Sequence, residues 1–331
     1  MSSFRAFSLR KLVSIAPRYL PFADVATDNV PLSRLLRLSL FQVTVGMALV
    51  LLVGTRNRGM IVELAVPATL VAGMLAIPLL FAPLRAFIGF KSDTHRSALG
   101  WRRVPYIWKG TLYQFGGFAI MPFDLLVLSG YAEAHDTPRI IGFAAAALAF
   151  LLVGAGIHIV QTVGLALATD LVKEEDHPKV VGLMYVMLLF GMVFAALIYG
   201  ALLANYTPGR LIQVIQGTAV VTVALNLLAL WKQESRDRNR AYEMEHAKHK
   251  AFKDEWARFM ARPGNLRLLV LIGLGTFGFS MADVLLEPYG GQALGLSVAE
   301  TTKLTAMLAG GTLIGFGLAS RALSHNGDPA R

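Results

Sequence analysis

Cysteine is absent from the 331 residues. Its absence removes disulfides, thiolate metal sites and cysteine nucleophiles together, and leaves the redox compartment unreadable. Charge is scarce as well: 16% of residues are Asp, Glu, Lys or Arg, 55% are hydrophobic, and mean hydropathy is +0.56. Soluble domains carry about 25% charged residues, so this composition excludes a soluble fold. Acids are the scarcer sign, 21 against 31 Lys and Arg, for a formal net charge of +10. An uninterrupted N-terminal apolar core with a small-residue cleavage site is lacking too. The opening MSSFRAFSLRKLVSIAPRYLPF is broken by Arg10, Lys11, Arg18 and prolines. It reads as a cytoplasmic, partly amphipathic arm rather than a signal peptide.

What the chain has in abundance is long apolar runs, at 38–55, 60–80, 105–128, 140–168, 180–204, 211–231, 266–286 and 301–323. Runs of this length in hydrocarbon must satisfy their backbone groups internally, and barrel strands would be short and alternating, so the expectation is eight transmembrane helices. With the arm placed inside, only Arg56, Arg58, Arg139, Arg210 and Lys303 of the 31 lysines and arginines fall on the outer side. The bias puts both termini in the cytoplasm. Asp124 and Glu63 then fall toward the outer surface and Asp170 at the inner end of its helix.

The stretch GFKSDTHRSALGWRRVPYIWKG, residues 89–110, becomes a cytoplasmic loop whose charge holds orientation and meets anionic lipid, with Trp101, Tyr106 and Trp108 at headgroup level. Four regions follow: an arm at 1–34, a six-helix bundle at 35–231, a charged linker at 232–263, and two further helices at 264–331. Six helices, a charged connector and resumed spans are the layout of a transporter-like fold with two joined halves.

The loop also carries Gly89, Asp93 and Arg96, then Gly100, Arg102 and Arg103. This resembles the loop motif of the major facilitator superfamily, at a longer spacing. The motif implies that Asp93 and Arg96 join a charge network between helices, and leaves Arg102 and Arg103 to contact lipid or another chain. The wider stretch FAPLRAFIGFKSDTHRSALGWRRVPYIWKGTLYQFGGFAIMPF is preceded by VPLSRLLRLSLFQVTVGMALVLL and followed by HIVQTVGLALATDLVKEEDHPKVVGLMYVMLLFGM. Together they resemble the PucC/LhaA family of purple phototrophic bacteria, from about residue 20 to the last. That resemblance implies an all-α, major-facilitator-like integral protein of the inner (intracytoplasmic) membrane. It implies a non-enzymatic factor that assembles light-harvesting antenna complexes, on the core-antenna side of the family, handling bacteriochlorophyll. Partners would be antenna polypeptides, reaction-centre assembly proteins and membrane lipids, and not nucleic acid. The family has twelve helices, so 264–331 would be the start of a second half.

Ionisable groups inside the membrane are costly, and each is a candidate site. His158 lies deepest, with Gln161 one turn on, and a neutral imidazole suits the magnesium of a chlorin; the competing reading is a packing hydrogen bond. Asp283 and Glu287 stand four residues apart, a possible proton or polar site, although Glu287 borders the outer surface. Gly154, Gly156, and the Gly311 and Gly315 pair suit close helix packing. Phe252, Trp256 and Phe259 recur at helical spacing, as on an interfacial helix. A metal cluster, a dinucleotide-binding glycine pattern and a nucleophile with its base are all missing from the sequence, which weighs against an enzyme of pigment synthesis. A proton-coupled transporter is the other alternative, and no acid pair deep in the first half favours it.

Overall fold

The fold is described from a computed structural model, covering residues 30–79, 83–95, 97, 100–130, 134, 136–234, 242, 246 and 251–326. Every regular element among these residues is helical. Helix α1, Leu32–Glu63, is followed by the short α2, Ala68–Leu79, and α3, Leu84–Asp93. Long helices α4, Val104–Ser129, α5, Arg139–Asp170, α6, His177–Leu202, and α7, Pro208–Leu230, complete the first group. The amphipathic α8, Phe252–Ala261, leads into α9, Asn265–Leu294, and α10, Val298–Asn326. Seven helices among the described residues are long and apolar enough to cross a membrane. The chain is an all-helical membrane protein.

The first two expected spans are drawn differently by the structure. Their boundary at 55–60 is not a loop. Helix α1 runs through it as π-helix, over Val50–Arg56 and again over Gly59–Glu63. The break comes at Ala65, in the left-handed region at φ 49°, two residues before Pro67. A proline cannot donate within the preceding turn, so α2 starts anew from it and keeps only the later part of the expected span. The other expected spans match α4, α5, α6, α7, α9 and α10 to within several residues.

Between α4 and α5 the backbones approach closely because small residues face each other. A Cβ on Gly156 would stand 2.6 Å from the Gly110 carbonyl oxygen, and one on Gly110 would stand 2.9 Å from Val160. Helices α1 and α6 cross in the same way, Gly46 against Leu188 and Gly191 against Val43. With little hydrophobic drive between helices in lipid, such contacts supply the dispersion that holds them. Polar ties add to it: Asn226 of α7 donates to Thr111 of α4 at 2.9 Å, while Thr44 of α1 donates to Asn226 at 2.9 Å. Interhelical bonds of this kind are worth about 0.6 kcal/mol each in a membrane.

Helix α10 lies along α6, with Ala306 and Ala309 buried and Gly200 facing the Ala299 carbonyl. Gly311 and Gly315, expected to mark a close crossing, meet nothing within 4 Å, so that expectation is not realised among the described residues. The aromatic face of α8 does form. Phe252 stacks toward Trp256 at 6.0 Å and lies edge-on to Phe87 of α3 at 5.5 Å.

Candidate functional site

At the loop end of the bundle, Gly100 takes the left-handed conformation at φ 73° and turns the chain into α4. Arg103, nearly buried, then meets the Asp93 carboxylate at the end of α3. Its Nε donates to Asp170 Oδ2 at 3.0 Å and Nη1 to Ser92 Oγ at 2.6 Å. Arg102 Nη2 donates to the same Asp170 oxygen at 2.6 Å. Asp170 ends α5, so one carboxylate clasps two arginines from the start of α4. Glu234, just beyond α7, accepts the backbone N–H groups of Arg102 at 3.1 Å, Arg103 at 3.1 Å and Val104 at 2.9 Å. A carboxylate on free amides at a helix N-terminus is favoured by both hydrogen bonds and the helix dipole.

Four helix ends are thereby tied together by charge. The two arginines expected to reach lipid or another chain are turned inward to Asp93, Asp170 and Ser92, because carboxylates from α3 and α5 lie within their span. Gly89 faces Thr162 of α5 at ordinary packing distance. Arg96 lies outside the described residues. Nearby His95 stands edge-on to Tyr106 at 5.2 Å, and burial, then Lys109, holds its pKa below the usual value.

His158 sits half-buried on α5 with Nε2 3.1 Å from the Pro78 carbonyl of α2. Donation to that oxygen fixes the proton on Nε2 and leaves Nδ1 as the basic nitrogen, which is buried without a partner. Gly154 packs directly on the Pro78 ring. Gln161 does not bond to His158; it accepts from Arg85 Nη2 at 2.9 Å, and Thr162 accepts from Arg85 Nε at 2.9 Å. The sequence-expected His158 and Gln161 pair is thus two separate locks between α5 and the α2–α3 segment.

The opposite end holds a polar cluster whose Arg56, Arg58, Glu63 and Asp124 were expected on or toward the outer side, and most of it is buried. Arg56 and Asp124 are both 0% exposed and pair with each other across α1 and α4. Arg58, 3% exposed, donates to Glu63 at 2.6 Å and to the Leu296 carbonyl at 2.9 Å. Asn57 donates to the Val284 carbonyl at 2.7 Å. Glu287 of α9 is 1% exposed, accepts from Thr305 Oγ1 at 2.5 Å, and rests on Gly54, where a Cβ would not fit. The π-helical turns of α1 widen the backbone here and direct Arg56, Asn57 and Arg58 inward.

Asp283 and Glu287 do not act as a pair: Asp283 is exposed while Glu287 is enclosed by α1 and α10. An acid within an apolar run, Asp124 in 105–128, was the sequence signal for this cluster. Arg56 was misread because a basic residue between two apolar runs has the pattern of a loop.

No group of His, Cys, Asp and Glu among the described residues is arranged to hold a metal ion. For a chlorin magnesium, an open nitrogen or oxygen must face a space large enough for the ring. His158 does not meet that condition, since Nε2 is committed to Pro78 and Nδ1 is enclosed. Between α1, α6 and α7 lies an apolar cavity of about 760 Å³, walled by Met47, Phe190, Phe194 and Val221, with Gln213 on its lining. His158 takes no part in that wall.

The chain resembles known proteins along nearly its whole length. The family described as "PUCC protein" matches residues 55–331. "Protein PucC" of Rhodobacter capsulatus is 72% identical over 99% of this chain and 71% of its own length. "Protein PucC" of Rhodovulum sulfidophilum is 61% identical over 99% of this chain and 73% of its own. More distantly, "Bacteriochlorophyll synthase 44.5 kDa chain" of Rhodobacter capsulatus is 27% identical over 88% of this chain and 64% of its own. With the match running from within α1 to the last residue, this ion-tied helical membrane protein belongs to the PUCC protein family.

Proposed function

We propose that the protein is a non-enzymatic assembly factor for photosynthetic antenna complexes, holding or shielding bacteriochlorophyll while antenna polypeptides enter the membrane. Family membership carries this reading: relatives 61–72% identical come from phototrophic bacteria, and a more distant one is named for bacteriochlorophyll synthesis. The apolar cleft beside the exposed Phe190 and Phe194 supports it as a surface on which a flat hydrophobic ring can lie. The proposal takes 35–231 as the first bundle of a major-facilitator-like fold, 232–263 as the linker and 264–331 as the start of a second bundle. It puts both termini and the 89–110 loop at the cytoplasmic face of the inner membrane. Core and peripheral antenna are separated by which polypeptides the protein retains.

Mild-detergent purification from cells making bacteriochlorophyll, followed by absorption spectroscopy and identification of retained polypeptides, tests the reading. Pigment absorbance together with antenna polypeptides is expected. A preparation free of both contradicts it.

The Arg56–Asp124 pair favours one second reading, a proton-coupled transporter of a small solute. Buried charges deep between helices are the usual mark of such a path. Solute-driven proton uptake by vesicles carrying the purified protein, abolished in Asp124→Asn, would establish it.

A further inference from the structure

At the loop end, a cavity of about 1540 Å³ opens between α1, α4, α5 and α7. Its walls are of two kinds. Arg34, Arg37 and Lys232 face it as cations, and Trp101, Trp108 and Trp231 line it with rings. Asp170 and Glu234 also reach it, but each is already committed, one to Arg102 and Arg103 and the other to the α4 amides. Arg34 gives its hydrogen bonds to neutral acceptors, the Gln233 carbonyl at 2.9 Å and side-chain oxygen at 3.3 Å. Arg37 Nε is buried without a hydrogen-bond partner. Among the described residues, then, the carboxylates of this cavity are used up, and of its four cations only Arg102 is paired with one of them.

Lys232 adds an independent observation. It follows the end of α7 at φ 55°, a left-handed conformation that glycine adopts freely and lysine does not. A strained residue that brings a charge to a cavity wall points to a role for the charge. The apolar part of the wall, Leu227 and Leu230, belongs to α7, whose Val220, Val221, Leu227 and Leu228 are exposed apolar side chains. Positive charge, tryptophan and an apolar slope together fit an amphiphile with an anionic head.

We infer that this cavity is a binding site for one anionic phospholipid. Its phosphate is held by Arg37 and Lys232, and its acyl chains run down Leu227 and Leu230. The bound head neutralises the surplus charge beside the Asp93–Arg103–Asp170 network and so reinforces the ties among the four helix ends.

The test uses the full chain, delipidated in neutral detergent and titrated with short-chain phosphatidylglycerol, short-chain phosphatidylcholine or inorganic phosphate. Tryptophan fluorescence and unfolding temperature are followed. Phosphatidylglycerol alone should give a saturable fluorescence change and a raised unfolding temperature. Each cation near a membrane surface contributes about fivefold to such binding, so R37Q/K232Q should weaken it about thirtyfold, and R37K/K232R should restore it. Lys232→Gly should unfold at a higher temperature than the parent without lipid, yet gain less from phosphatidylglycerol. Equal midpoints for the two lipids overturn the inference, as does unaltered binding by R37Q/K232Q. A full response to inorganic phosphate shows an anion site without lipid and overturns it equally.

Discussion

Replacing Arg56 by Met leaves the Asp124 carboxylate in an interior where both partners were 0% exposed. Removing one member of a buried ion pair costs about 3–5 kcal/mol, because the survivor keeps its desolvation cost without its counter-charge. Asp124→Leu should cost a similar amount for the same reason. The pair itself is imperfectly served: Arg56 Nε and Nη1 and Asp124 Oδ2 have no hydrogen-bond partner. Desolvation is therefore offset by little beyond the single contact. The double variant R56M/D124L removes both charges and the unsatisfied atoms while keeping apolar bulk. It should unfold within about 1 kcal/mol of the parent, since apolar replacements of whole buried pairs are often neutral or stabilising. The assay is equilibrium unfolding of all four proteins in mixed micelles, read by helical circular dichroism. Additive losses in the double variant would refute the coupling and show that the two side chains are stabilised by other groups.

Further outcomes follow from the same geometry. Glu234→Ala removes the anion from the α4 amides and should lower stability by about 1 kcal/mol, with increased hydrogen exchange at the α4 start. Gly156→Val forces the α4–α5 backbones apart and should cost about 3 kcal/mol or more, or prevent accumulation in membranes. His158→Leu leaves the Pro78 carbonyl without its donor and should cost about 1–3 kcal/mol, whereas pigment content per folded protein stays unchanged. Arg103→Gln should uncouple Asp93 and Asp170, measured as faster proteolysis of the 89–103 segment in inverted vesicles.

Most of the helical layout was legible because hydropathy over about 20 residues answers to the bilayer alone, and six spans match helices to within several residues. Where the layout misled, local pattern and tertiary demand disagreed. Arg56 and Arg58 read as a loop, yet α1 continues through them because Asp124 of α4 and Glu63 at the end of α1 itself complete their charge. Asp93 and Arg103 were legible as motif residues, since acid and base flank one loop. Glu234 was not, as a carboxylate in a charged linker gives no sign that it will fold back onto α4. For His158 the sequence left a ligand and a packing bond open, and the choice depended on Pro78, eighty residues away. Glycine spacing likewise marked possible crossings without telling which are used: Gly156 is in contact and Gly311 is not.

The central claim is the role in antenna assembly, and it is tested most directly in cells. A phototroph lacking its own copy is complemented with this chain, and near-infrared absorbance of its membranes is compared with the uncomplemented strain at equal reaction-centre content. Restored antenna absorbance is the expected result. Antenna bands that are equally strong with and without the chain would contradict the claim.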